Sequence, residues 1–139
     1  MTMGPWIAVL LVLAPLPGKA DIYDRLSGTF GDPLVQEESC DTNPVFSRFT
    51  ADHSRVTFNW TRPVLSYTGA MITAFGGTLV ATAPDSISIL RDSETRITRD
   101  GAKIVWIMRA TDDGYCWTRA DMRGEACQPV LRCTPRPNS

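Results

Sequence analysis

The sequence predicts an all-β protein: a small antiparallel up-and-down barrel of about eight strands, with a short helical turn before the first. Apolar residues recur at every second position in several short runs. Turn-forming residues separate those runs at short intervals. Helical periodicity is nearly absent after the first few residues of the exported part. A β-sandwich is the alternative. Closure is favoured because it removes the sheet edges that invite aggregation.

The stretch Lys103 to Arg119, KIVWIMRATDDGYCWTR, organises the chain as a hairpin that turns at Asp112-Asp113-Gly114. Before it, Asp21 to Leu26 suits one turn of helix, and Gly28 to Gly31 a short first strand. Asp32 to Pro44 is a polar loop carrying Cys40. Val45 to Thr50 is the second strand, with its turn at Asp52-His53-Ser54. Val56 to Thr61 alternates without error, Val56, Phe58 and Trp60 on one face and Thr57, Asn59 and Thr61 on the other; Pro63 is expected to end it. Leu65 to Ala83 reads as two strands, about Ser66 to Phe75 and Thr78 to Ala83, with Gly76-Gly77 as turn or bulge; a short helix near Ala70 to Phe75 competes. Pro84-Asp85 is a turn, and Ser86 to Ile89 alternates again. Glu94 to Thr98 is expected to continue the meander to a hairpin signal at Asp100-Gly101. In Lys103 to Arg109, Ile104, Trp106 and Met108 share one face and Val105 and Ile107 the other, so cover is expected on both. Pro129 to Cys133 is the last strand, and the tail Thr134 to Ser139 is expected to fray.

The first 20 residues are read as a signal peptide. Trp6 to Leu16 is an apolar core, and Gly18-Lys19-Ala20 supplies small residues for cleavage after Ala20. The run departs from the usual pattern in having no Lys or Arg before it, and it is too short to span a bilayer comfortably. The expected domain organisation is therefore a leader over 1–20 and one β-barrel domain over 21–139, in the periplasm or secreted, without stable membrane insertion after cleavage. The net charge of −1 is made of interspersed signs. No basic run is present to neutralise phosphates, which argues against a nucleic-acid partner.

The four cysteines Cys40, Cys116, Cys127 and Cys133 all follow the leader. An even count in a small exported domain favours two disulfides. Three pairings are possible. Cys116–Cys127 is favoured because these residues flank a turn expected near Asp121 to Gly124, which leaves Cys40–Cys133 to tie the first loop to the C-terminus. Metal binding is not expected, since there is no C-x-x-C pair and a single histidine. No cofactor motif occurs.

The short helical turn, Gly28-Thr29-Phe30 at the start of a strand, and a meander ending in an Arg-bearing strand together resemble the lipocalin-like (calycin) barrels. In those proteins a G-x-W element opens the first strand and an Arg from a late strand packs across its ring. Gly28 and Phe30 match that element, with Phe in place of Trp. Arg119, or else Arg109 or Arg132, would be the packing Arg. Tyr115 to Asp121 also resembles the last hairpin of small exported bacterial barrel proteins without assigned function. The resemblance implies a barrel and a small apolar ligand, and it brings no catalytic residue.

Other constellations have bland explanations. Asp52, His53 and Ser54 supply the residue types of a hydrolase triad, but neighbours in one turn do not converge as a triad must. Asp100-Gly101 and Asp112-Asp113-Gly114 lack the ligand spacing of a calcium loop. No carboxylate pair stands out as glycosidase-like. Asn59-Trp60-Thr61 is a glycosylation triplet inside a strand, read as chance. The aromatics Phe58, Trp60, Trp106, Tyr115 and Trp117 are the functional lead: they either line a cavity or fill the barrel. The expectation is a non-enzymatic protein with no catalytic residue, taking a small apolar ligand at Phe58, Trp60, Trp106 and Met108. The alternative is a protein-interaction or inhibitor module with a filled barrel, acting through the Asp32 to Pro44 loop.

Overall fold

The structure, a computed structural model, describes residue 4, residues 21–122 and residues 127–134. The apolar core and cleavage site expected within 1–20, the end of the turn near Gly124, and the tail beyond Thr134 lie outside the described residues.

Eight strands follow one helical turn: α1 (Ile22–Leu26), β1 (Gly28–Gly31), β2 (Val45–Phe49), β3 (Arg55–Leu65), β4 (Met71–Ala83), β5 (Ser86–Arg91), β6 (Trp106–Ala110), β7 (Gly114–Arg119) and β8 (Gln128–Arg132). Each strand pairs antiparallel with the next. β8 then pairs with β1 through Phe30 opposite Arg132 and Gly31 opposite Leu131, closing the barrel. Closure fixes which parity faces inward. Phe30, Val45, Val56, Phe58, Ile87, Ile89, Met108, Tyr115 and Val130 form the buried core.

The two ends of the barrel differ because the connections alternate in length. The β2–β3, β4–β5 and β6–β7 connections are short turns, and α1 plugs their end. Asp21 caps α1 by accepting from the Asp24 amide, and Ile22 and Leu26 are buried against the barrel. Tyr23 meets Phe49 edge-on with ring centres 5.3 Å apart, and Arg25 pairs with Asp85 at 2.8 Å. The buried hydroxyl of Ser47 donates to the Leu26 carbonyl, so the core's polar atom is satisfied. The other end carries the connections 32–44, 66–70, 92–105 and 120–127, of which all but 66–70 are long.

β6 begins at Trp106 rather than at Lys103, which makes only an isolated bridge; three further differences from the expectation have a physical reason in the structure. Pro63 does not end β3: the strand runs on to Leu65, with a register shift against β4 between Asn59 and Val64. Pro63 lies within this irregularity, where its missing N–H breaks no regular ladder. On the other side of β3, the Asn43 side chain stands in for a missing strand. Its amide nitrogen donates to the Arg62 carbonyl at 2.8 Å and its oxygen accepts from the Arg62 N–H at 3.1 Å.

Gly76-Gly77 does not divide two strands. β4 runs unbroken through it for 13 residues. Space is tight at the pair: a Cβ on Gly77 would lie 3.0 Å from the Leu90 carbonyl, and one on Gly76 would crowd the Arg55–Asp92 ion pair that meets over this point. Glu94 to Thr98 is not a strand either. It belongs to the 92–105 loop, whose tip is held by a single bridge between Ile97 and Lys103. Cys40 bonds Cys133, and Cys116 bonds Cys127.

The Arg that packs on the first strand is Arg132, not Arg119. Its guanidinium carbon lies 4.7 Å from the centre of the Phe30 ring. It also donates to the carbonyls of Ser27 (3.0 Å), Arg25 (2.7 Å) and Asp24 (3.4 Å), groups that a helix leaves without partners at its end. Gly28 makes room for it. With φ +119 and a would-be Cβ only 2.9 Å from the guanidinium, no other residue fits there without strain. Arg119 is engaged elsewhere, held by both carboxylate oxygens of Asp121 and lying 5.8 Å over Trp106.

Candidate functional site

A pocket of about 280 Å³ opens at the end that carries the long loops. The barrel tapers below it into the closed core, where Phe30 and Tyr115 meet edge-on with ring centres 4.8 Å apart. The mouth is walled by aromatic rings. Phe58 stacks on Phe75 at 4.5 Å, Trp60 tilts onto Phe75 at 5.8 Å, and Phe58 touches Trp117 at 5.5 Å. Trp117 meets Trp106 edge-on at 6.2 Å. Leu65, Ser66 and Tyr67, from the end of β3 and the turn after it, complete the rim, with Asp32 and Glu38 from the β1–β2 loop.

Two polar features shape this mouth. The first is Arg91, at the end of β5. Its guanidinium carbon lies 4.0 Å from the Phe75 ring centre, 4.9 Å from Tyr67 and 5.3 Å from Trp106. Its Nε is buried and has no hydrogen-bond partner. Burial holds its pKa below the usual arginine value, against the attraction of Tyr67 and Glu94. The second is Glu94, whose side chain is 4% exposed. It accepts two hydrogen bonds from the Arg96 guanidinium, at 2.7 and 3.1 Å, and one from the Trp106 indole at 3.1 Å. The Arg96 contacts chiefly, aided by the indole, hold its carboxyl down at about 2. Glu94 thereby fixes the orientation of Trp106 in the wall. On the far side, burial and then the charges of Asp32 and Glu37 push Glu38 above the ordinary glutamate value.

Of the expected ligand residues, Phe58, Trp60 and Trp106 line this pocket, as do Tyr115 and Trp117. Met108 does not join them. It is fully buried in the core cluster, one pleat deeper along β6 than Trp106. The sequence reading missed Phe75, Tyr67 and Arg91. Arg91 was within reach of the period-2 rule: it shares the parity of Ile87 and Ile89, so two more residues of strand turn it inward.

At the other end of the barrel, the Asp52-His53-Ser54 turn is occupied with its own structure. The Asp52 carboxylate accepts from the Ser54 hydroxyl (2.7 Å), the Thr50 hydroxyl (2.7 Å) and the Ser54 amide (3.0 Å). His53 sits at φ 57 and stacks on Tyr23, ring centres 3.7 Å apart. Among the described residues, no group of three or more His, Cys, Asp or Glu is gathered to hold a metal.

The fold and site define a closed eight-stranded antiparallel barrel with two disulfides and one aromatic-walled mouth. The disulfides suit an oxidising compartment. Comparison with known proteins gives no matching family model, no matching curated protein and no matching solved structure.

Proposed function

We propose that this protein is an exported, non-enzymatic carrier of the lipocalin-like kind, which takes one small apolar molecule into the barrel mouth. The observation that carries the reading is the placement of the pocket. Five aromatic side chains (Phe58, Trp60, Phe75, Trp106 and Trp117) leave about 280 Å³ between them at one end, while the rest of the barrel is packed shut. That volume falls just short of the range of about 300–1,000 Å³ usual for small-molecule sites, which are mostly apolar with a few placed polar groups. The helical turn, Gly28, Phe30 and the Arg132 clasp support the lipocalin-like part.

Native mass spectrometry tests the carrier reading. Protein purified from an oxidising compartment is expected to carry a small-molecule mass that is lost on denaturation. Substituting Trp60→Ala is expected to weaken retention without unfolding the barrel. A bare protein that also fails to bind any member of a panel of small aromatics, followed by tryptophan fluorescence, overturns it.

The second reading, an interaction or inhibitor module, draws on Leu34. It is 71% exposed in the β1–β2 loop beside the disulfide-bonded Cys40. A bare barrel that captures one specific protein partner, with capture lost in Leu34→Asp, moves the assignment to that reading.

A further inference from the structure

We infer that the ligand of the mouth carries an anionic group, such as a carboxylate, which docks on Arg91 while its apolar body lies between the aromatic rings. The inference rests on the carrier reading and deepens it.

An aromatic mouth alone favours a cation, because ring faces are electron-rich. Here that place is already taken. Phe75, Tyr67 and Trp106 present their rings to the Arg91 guanidinium of the protein itself. What Arg91 lacks is a hydrogen-bond acceptor. Its guanidinium makes no hydrogen bond or ion pair among the described residues, and its Nε is buried without a partner. A guanidinium left without an acceptor is costly, and its terminal nitrogens, rather than the covered Nε, are what an anion in the mouth would meet; a carboxylate suits that fork best. Glu94, the carboxylate whose charge acts on Arg91, is committed to Arg96 and the Trp106 indole. Arg96, 4.5 Å from the Tyr67 ring, is neutralised by that same Glu94, so the positive charge left uncompensated on this wall is that of Arg91.

The acidic groups of the mouth, Asp32 and Glu38, come from the β1–β2 loop. β1 and β5 are four strands apart in a closed ring of eight, so these acids stand across the opening from Arg91. The mouth is therefore polarised, and an anion entering it is oriented toward β5.

The test compares two probes of equal size and opposite character: 2-naphthoate and its neutral amide, 2-naphthamide. Both are titrated calorimetrically into the oxidised full-length protein and into Arg91→Met and Arg91→Lys variants, with folding checked by near-ultraviolet circular dichroism. The wild-type protein is expected to bind the naphthoate about ten-fold tighter than the amide, equivalent to about 1.4 kcal/mol. Within each variant the readout is the ratio of naphthoate to amide affinity: Arg91→Met should bring that ratio to about one whatever happens to the amide affinity itself, and Arg91→Lys should retain part of it. Equal binding of the two probes by the wild type overturns the anion inference and leaves the carrier reading standing. Binding of neither overturns both. A preference that survives in Arg91→Met places the anion elsewhere and removes Arg91 from the site. If Arg91→Met does not fold, the wild-type pair and Arg91→Lys decide the matter.

Discussion

Replacing Arg132 by methionine is expected to cost about 2–3 kcal/mol of stability, because Arg132 joins three parts of the molecule. It leaves from the last strand, covers the ring of Phe30 on the first strand, and reaches the free carbonyls at the end of α1. Methionine keeps an apolar stem over the ring and removes the guanidinium. Two well-placed hydrogen bonds, at 2.7 and 3.0 Å, contribute about 0.5–1.5 kcal/mol each. The contact at 3.4 Å is too long to add much. The ring contact adds about 0.5–1 kcal/mol at a site this open to water. With a urea slope of about 1.5 kcal/mol/M, the midpoint should fall by about 1.5 M. Arg132→Lys should recover little, since an ammonium cannot reach separate carbonyls and cover a ring as a planar fork does. The assay is equilibrium urea unfolding with both disulfides intact, followed by tryptophan fluorescence and circular dichroism. A loss below about 0.5 kcal/mol with an unchanged slope would refute the clasp, because even one of its hydrogen bonds accounts for that much.

Three further outcomes follow from the same structure. Asn43→Ala should destabilise by about 1–2 kcal/mol in the same urea assay, since it removes the two hydrogen bonds that the buried Asn43 side chain makes to the Arg62 backbone; Asn43→Asp should keep only the contact from the N–H. Removing Cys40–Cys133, which closes a separation of 93 residues, should cost about 4–5 kcal/mol by loop entropy, against about 3 for Cys116–Cys127 with its separation of 11; thermal unfolding of paired serine variants gives the order, and an inverted order contradicts it. Glu94, with its folded pKa lowered from 4.5 to about 2, stabilises the fold fully above about pH 4.5, and that contribution fades as pH falls toward 2. Glu94→Gln should therefore flatten the acid limb of a stability–pH profile, and a variant limb as steep as the wild type's would show that other carboxylates govern it.

Much of the barrel was legible in the chain because its signals are local. The errorless alternation of Val56 to Thr61 and the Asp112-Asp113-Gly114 turn define strands and turns that keep their places. The absence of helical periodicity left only a closed or stacked sheet as a way to bury so many alternating residues. What failed also failed for a physical reason. Gly76-Gly77 looks like a break until Arg55 and Asp92 are seen meeting over it. Pro63 looks like a stop until the β3–β4 register shift is known.

The sequence by itself determined the class, the strand alternation, the favoured cysteine pairing and the aromatic character of any pocket, since each depends on spacing between near neighbours or on residue type. Tertiary structure alone decided which arginine does what. Arg91, Arg119 and Arg132 are equivalent as letters, each closing a β-like run. The folded barrel turns Arg91 into the mouth among three aromatic rings, sets Arg119 over Trp106 across the β6–β7 hairpin, and lays Arg132 over Phe30. Those roles depend on contacts between residues as many as 108 positions apart, which only the closed barrel brings within reach.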